Sequence, residues 1–279
     1  MKVQFWITLT LLVLTGNAAQ AADSGEIGFK LYRGYIIVVR GSIAGMTNLN
    51  FLVDTGAMPS VIDESIADRL KLDGTKLRLS VFTADVQTRQ VVLPDLTIGP
   101  VQVNSLPVVT RDLSQFEAGI GTRIDAMVGS DVLQKAGFSI DYESKKIRFL
   151  PDNAPPFRCS RGTRLGFIVT AQINNRAVRL LVDTGAKDLI LFRRRIEKVI
   201  EAIKVNGSKI SSNMAGESQL SRLDLKEITV AGRTYRVETA LVLDTPEDTL
   251  PDFDGLLGLS TLKIKRVDFA VSGQMTAMQ

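Results

Sequence analysis

A hydrophobic strand ending in Asp-Thr-Gly-Ala occurs twice in this 279-residue chain. The copies are Phe51-Leu52-Val53-Asp54-Thr55-Gly56-Ala57 and Leu180-Leu181-Val182-Asp183-Thr184-Gly185-Ala186. An apolar pair followed by glycine also recurs, as Met127-Val128-Gly129 and Leu256-Leu257-Gly258, so the interval from aspartate to glycine is 75 residues in both halves. Two landmarks at equal spacing mark the duplication of a whole lobe rather than of a tetrapeptide. A chain of this length, 45% hydrophobic, is long enough to bury a core in each of two lobes.

The pattern around the landmarks is strand-rich. Gly34 to Ile43 and Leu49 to Val53 read as a hairpin through the turn Ala44-Gly45-Met46-Thr47. Phe167 to Ile173 and Ala177 to Val182 repeat it through Asn174-Asn175. Each aspartate is thus delivered at the end of a hairpin. An apolar strand and a short helix follow, Ser65 to Leu72 in the first half and Arg195 to Val205 in the second. Polar, strand-like stretches come next, Leu79 to Leu93 and Ile210 to Leu223, and a strand-turn-strand pattern follows each. Each half then reaches its apolar-apolar-Gly segment, a short helix (Ser130 to Lys135, Leu259 to Lys263) and a closing strand, Phe138 to Phe149 or Arg266 to Val271. The expected fold class is all-β: two homologous barrel-like lobes with two small helices each, related by a pseudo-twofold axis.

The expected division is residues 1–21, 22–150, 151–160 and 161–279. Lys2, the apolar run Phe5 to Leu14 and the small residues Ala19-Gln20-Ala21 have the layout of a cleaved secretory signal. A membrane anchor needs about 20 apolar residues, and Thr15-Gly16-Asn17 interrupt this run earlier. Pro151-Asp152-Asn153-Ala154-Pro155-Pro156 reads as the linker between lobes. A secreted or periplasmic protein of a bacterial envelope is expected. The single cysteine, Cys159, has no partner for an internal disulfide.

Composition excludes several chemistries. With no histidine in the chain, Ser-His-Asp and Cys-His nucleophiles and histidine-ligated metals are ruled out, leaving carboxylates, lysine and tyrosine for acid-base work. Removing residues 1–21 leaves 33 Lys+Arg against 30 Asp+Glu, too small an excess to argue for nucleic acid. The run Arg193-Arg194-Arg195 reads as a solvated face, although three arginines at a helix N-terminus oppose its dipole. One Ser-x-x-Lys match, Ser260 to Lys263, is a pattern that chance supplies. No cofactor and no metal is expected.

An Asp-Thr-Gly turn after a buried strand presents a carboxylate at the strand end, and its glycine permits close backbone approach. Two such turns meeting at a pseudo-twofold axis would bring two carboxylates together; one proton is then shared, and the pair serves as base and acid. Aspartic proteases are the reference case for that behaviour.

On these motifs the chain resembles the aspartic peptidases of the pepsin and retroviral type. The first half carries Val128-Gly129-Ser130-Asp131-Val132-Leu133 ending in Ile140-Asp141, and the second carries Leu257-Gly258-Leu259-Ser260-Thr261-Leu262 ending in Val267-Asp268. Both resemble the retropepsin pattern more closely than the pepsin one. The resemblance implies that Asp54 and Asp183 are catalytic and hold the attacking water. It implies that Thr55 and Thr184 hydrogen-bond across to the opposite loop, that Gly56 and Gly185 allow the close approach and contact substrate backbone, and that Gly129 and Gly258 make room behind the loops. With both halves in one chain, a monomer is expected, acting on peptide or unfolded-protein substrates.

The sequence departs from retroviral enzymes at the flaps, the hairpins that fold over substrate. Val81 to Val91 has no glycine, with Ala84-Asp85 as its expected tip, and the second candidate has Ala215-Gly216-Glu217 at its tip. Met58-Pro59 and Lys187-Asp188 stand where retroviral enzymes carry acidic residues; Lys187 is expected to face solvent, the alternative being a lysine beside the dyad that lowers its apparent pKa or favours acidic substrates. Ala57 and Ala186 replace the serine common in pepsins, which predicts a higher dyad pKa and activity at milder pH. Two other readings use the same residues: a non-catalytic peptide-binding protein on this scaffold, and a carboxylate-pair glycosidase, which gives no reason for the duplication.

Overall fold

The computed structural model describes residues 25–81, 84–150, 166–197, 205–213, 216–247, 250–269 and 275–278. The segment expected to be a signal, the expected linker with Cys159, and residues 198–204 of the helix expected from Arg195 lie outside them.

The chain folds into two lobes of strand with few short helices. In the first, Ile36–Ile43 and Met46–Val53 pair antiparallel. Their turn places Ala44 and Gly45 at φ 47° and 79°, the two positive φ values that suit a tight hairpin to the twist of its strands. Ile168–Ile173 and Arg176–Asp183 repeat this in the second lobe. There Asn174 and Asn175 sit at φ 50° and 60°.

The decisive topology is identical in both lobes. The strand carrying the aspartate runs parallel to the apolar-apolar-Gly strand, Val53 opposite Val128 and Asp183 opposite Gly258. The strand that follows each aspartate turn, Val61–Asp63 or Leu189–Phe192, pairs antiparallel with the other edge of that apolar strand. Each aspartate turn is therefore the crossing point between two strands flanking a third. Where the three run side by side, Phe51, Leu52 and Val53 or Leu180, Leu181 and Val182 are buried together with the apolar-apolar-Gly strand, as their continuous apolar sequence requires.

A five-stranded sheet joins the lobes. Its order is Glu26–Gly28, Lys146–Leu150, Gly137–Asp141, Arg266–Phe269 and Met275–Met278, so three strands come from the first lobe and two from the second. At the boundary Phe138 lies opposite Phe269 with rings stacked at 4.6 Å, and Phe167 meets them edge-on at 5.7 and 4.8 Å. Such aromatic contacts add about 0.5–1.5 kcal/mol per pair beyond area burial. One continuous apolar core includes residues of both lobes, so the relative position of the two aspartate turns is set by packing.

Several details differ from the sequence reading. Phe138 to Phe149 is a hairpin rather than one closing strand. Asp141 accepts the N–H groups of Glu143 and Ser144 at 3.0 and 2.8 Å, which turns the chain between Gly137–Asp141 and Lys146–Leu150. The first lobe has a third helix, Ser114–Ile120, where two were expected; Asp112 accepts the Ser114 N–H, and Gly121 closes the helix at φ 91°. The helix expected over Ser65 to Leu72 spans Glu64–Arg69, with Asp63 capping it and Lys71 leaving it at φ 52°. The helix expected from Arg195 starts two residues earlier, at Arg193.

The arginine run is tethered as well as solvated. Arg193 pairs with Asp244 at 2.5 Å, Arg194 with Glu247 at 3.0 Å, and Arg195 donates to the Pro251 carbonyl. Of the three, Arg194 is exposed and Arg193 and Arg195 are partly buried.

Both polar stretches form long hairpins. In the first, Gly74–Val81 pairs with the start of Ala84–Ile98, Val81 opposite Ala84. Ala84-Asp85 is therefore the start of the returning strand rather than the tip. In the second, Val205–Asn213 pairs with Gly216–Asp224, Asn213 opposite Gly216, so Gly216-Glu217, expected at the tip, begins the returning strand.

Candidate active site

The pseudo-twofold brings Asp54 and Asp183 into hydrogen-bond contact between the lobes. Each carboxylate is held the same way from below. Asp54 Oδ1 accepts the N–H groups of Gly56 and Ala57 at 2.9 and 3.1 Å, and Asp183 Oδ1 accepts those of Gly185 and Ala186 at 2.8 and 3.0 Å. The oxygen that receives these bonds is fixed in place, leaving the other free to face its partner.

Thr55 and Thr184 lock the loops to each other. The Thr55 hydroxyl donates to the Val182 carbonyl at 2.7 Å and accepts the Thr184 N–H at 3.0 Å. The Thr184 hydroxyl donates to the Val53 carbonyl at 2.7 Å and accepts the Thr55 N–H at 3.0 Å. All four bonds cross between lobes and are buried, where a lost partner costs about 1–3 kcal/mol. Threonine suits the task because one side chain both donates and accepts.

The glycines are a matter of space. A Cβ on Gly56 would lie 2.6 Å from Asp183 Cγ, and one on Gly185 would lie 2.7 Å from Asp54 Oδ2. Each glycine thus carries the opposite carboxylate against its bare backbone. Behind the loops, a Cβ on Gly129 would come within 2.3 Å of the Ala57 carbonyl oxygen, and one on Gly258 within 2.6 Å of the Ala186 oxygen.

Electrostatics separates two chemically identical groups. Burial raises the pKa of Asp183 well above the ordinary carboxyl range, and the neighbouring Asp54 charge adds to the rise. Burial also raises Asp54, but a hydrogen bond from Asp183 and the two backbone N–H groups oppose the rise. Of the two, Asp183 is the favoured carrier of a proton shared across the pair.

A sequence profile described as aspartyl protease matches residues 39–132 and 169–261, once in each lobe and over more than half of the chain. The chain belongs to the aspartyl protease family. Its two lobes are retropepsin-like and lie within a single chain. Among curated proteins no significant match is found. Among the described residues, no helix is long and apolar enough to cross a membrane.

Several residues of this aspartyl protease that shape the site went unmarked in the sequence reading. Asp125 accepts the Asn50 N–H at 2.8 Å, and Asp254 accepts the Arg179 N–H at 2.7 Å. Each anchors the strand that ends, four residues later, in a dyad aspartate. The signal was available: an aspartate stands four residues before Gly129 and four before Gly258. Tyr35, half-buried, comes from the first lobe to stand near Asp188, Lys209 and Asp183 of the second, and only the fold reveals that meeting.

Lys187 is exposed, as expected, and its carbonyl accepts the Ser260 and Thr261 hydroxyls. The Ser260 hydroxyl is therefore committed to a backbone acceptor, which argues against its use as a nucleophile with Lys263. Asp188 pairs with Lys209 of the second hairpin at 2.5 Å, tying that hairpin to the loop beside Asp183.

Proposed function

We propose that this aspartyl protease is an endopeptidase that hydrolyses peptide bonds through a water activated by Asp54 and Asp183. What supports the reading is the contact between two carboxylates, each bound from below by two N–H groups, with Asp183 the more readily protonated.

A water between the carboxylates loses its proton to ionised Asp54 as its oxygen attacks the scissile carbonyl carbon. Asp183 gives its proton to the carbonyl oxygen, and a gem-diol forms. Collapse of the gem-diol breaks the C–N bond. The proton held on Asp54 passes to the leaving nitrogen, one gem-diol hydroxyl returns its proton to Asp183, and the dyad again holds a single proton. Two N–H donors at each carboxylate keep the geometry fixed through both steps, so no reorganisation is needed when charge moves. The long hairpins are the elements that would close over an extended peptide, the second through its Asp188–Lys209 tie.

The chain is proposed to act as an exported monomer. The layout of residues 1–21 motivates export, and both aspartates in one chain remove the need for a partner copy. Cell fractionation with N-terminal sequencing of the mature protein tests the first, and sedimentation of that mature form tests the second. An uncut start retained in the cytoplasm, or a dimer needed for activity, would overturn the respective statement.

The deciding experiment is cleavage of a mixed, denatured protein substrate by the mature chain, scanned from about pH 3 to pH 7, with Asp54→Asn alongside. The expected result is cleavage by the wild type and a loss of about 10³-fold or more in the variant, within the range for removing a general base. Undiminished cleavage by Asp54→Asn would overturn the mechanism.

A further inference from the structure

The two aspartate turns have the same length and register, so their positions compare one for one. Val53 and Val182 lie opposite Val128 and Leu257 before the turns, and Val61 and Ile190 lie opposite Met127 and Leu256 after them. Met58 and Pro59 therefore stand where the second lobe has Lys187 and Asp188. Counted back along the hairpins from the last paired residues, Val81 and Asn213, Leu77 matches Lys209. Three apolar residues on the Asp54 side thus correspond to three charged ones on the Asp183 side.

The charges on the Asp183 side do not cancel. Asp188 is the single acid of the three, and its carboxylate is taken up by Lys209 at 2.5 Å. Lys187 is exposed, and its ammonium has no carboxylate partner among the described residues. Its backbone is anchored all the same, because its carbonyl accepts the Ser260 and Thr261 hydroxyls. Binding a partner then costs the freedom of one side chain and not of a loop. From the first lobe, Arg33 joins Asp188 and Lys209 in the charged surroundings of Tyr35, whose phenol burial keeps protonated and able to donate. Apart from the dyad, Arg33, Lys187 and Lys209 are set against the one carboxylate of Asp188. On the Asp54 side Met58 is 45% exposed and offers apolar surface instead.

We propose that Lys187 is a specificity-determining residue that binds a carboxylate of the substrate on the Asp183 side of the scissile bond. That carboxylate belongs to an aspartate or glutamate side chain or to the peptide's own C-terminus, since both present the same pair of oxygens to the ammonium. Lys209 and Arg33 add a field that repels basic residues from this side. The inference rests on the endopeptidase reading above and names a substrate class for the same site.

The test uses binding, so that it does not depend on turnover. In the full mature chain carrying Asp54→Asn, a fluorescent octapeptide series with both ends blocked moves one Glu, or one Gln, through an otherwise uncharged sequence. At one position Glu is expected to bind about fivefold more tightly than Gln at low salt, the upper end for a solvent-exposed ion pair. The preference should shrink at about 0.5 M salt, where screening is stronger. A second series, shortened residue by residue, compares the free C-terminal acid with its amide. A preference for the acid there, without one for internal Glu, assigns the carboxylate to the chain end. Adding Lys187→Gln is expected to bring each pair within about twofold, and Lys187→Arg should retain the preference. Met58→Lys should create a second acid-preferring position on the other side of the scissile bond, and if none appears the correspondence of the two sides is overturned. No position that prefers a carboxylate, or a preference that survives Lys187→Gln, would overturn the role of Lys187. No binding by any peptide would overturn that role and the endopeptidase reading together. Carboxylate preference in binding with no cleavage by wild type would overturn the endopeptidase reading alone.

Discussion

The turns bearing Asp54 and Asp183 share their inner hydrogen bonds but differ in what stands behind them. Behind the first is an internal clamp. Ser60 donates its N–H and hydroxyl to Asp131 at 2.8 and 2.6 Å, its hydroxyl oxygen accepts the Gly129 N–H at 2.9 Å, and the Ser130 N–H bonds the Ala57 carbonyl at 2.9 Å. Behind the second, Asp131 has become Ser260 and Ser60 has become Leu189. Ser260 and Thr261 hold only the Lys187 carbonyl, and the charge at Asp188 is turned outward to Lys209 on the hairpin. The comparison teaches where duplication is constrained. Bonds that set the carboxylate geometry have one solution and recur on both sides, whereas support further out can be built as a rigid clamp or as a link to a neighbouring element.

The largest effects test the shared part. Asp54→Asn and Asp183→Asn should each lower kcat/KM by about 10³-fold or more, with the two losses within tenfold of each other, since each carboxylate carries one proton transfer in each of the two steps. Steady-state kinetics on one peptide checks this; a variant that keeps near-wild-type activity would break the equivalence.

Support behind the turns should separate the lobes. Asp131→Ala strips the acceptor from two Ser60 donors and is expected to cost about 1–3 kcal/mol in denaturant unfolding. Ser260→Ala should cost less than about 1 kcal/mol, because Thr261 still donates to the Lys187 carbonyl at 3.3 Å. Equal costs would mean that the internal clamp adds nothing the second lobe lacks.

The proton on Asp183 gives a pH signature. Its folded-state pKa is raised, so its contribution to stability is full below the unfolded value of about 3.9 and is lost as pH rises through the folded value. An asparagine there has no proton to lose. Asp183→Asn should therefore melt at a temperature closer to wild type near pH 4 and progressively above it toward pH 8. Thermal melts across that range check the sign, and a difference that shrinks with rising pH would contradict it.

The smallest effect belongs to the outward link. The Asp188–Lys209 pair is about one-third exposed on both sides, and such pairs are worth about 0.2–1 kcal/mol. Lys209→Ala should barely change the unfolding midpoint but should raise KM and remove part of its salt dependence. Unchanged KM at low salt would show that the link does not bear on substrate.

The duplication, the all-β class, the hairpins that carry the aspartates and the residues of the dyad were all legible in the sequence. They depend on local chemistry: turn residues that accept positive φ, alternating apolar strands, and a motif repeated at equal spacing. Asp125 and Asp254 were equally legible but unmarked, because a carboxylate bonding to the backbone of another strand looks like any polar loop residue until the strands are paired. The expected tip at Ala84-Asp85 was misplaced because strand register is set by pairing along the whole hairpin rather than by the composition of its tip. Tertiary structure alone decided which carboxyl of the dyad favours the proton and the meeting of Tyr35 with the Asp183 turn. Each depends on groups more than a hundred residues apart brought close by the inter-lobe sheet, and on how much water their burial excludes, neither of which a linear pattern records.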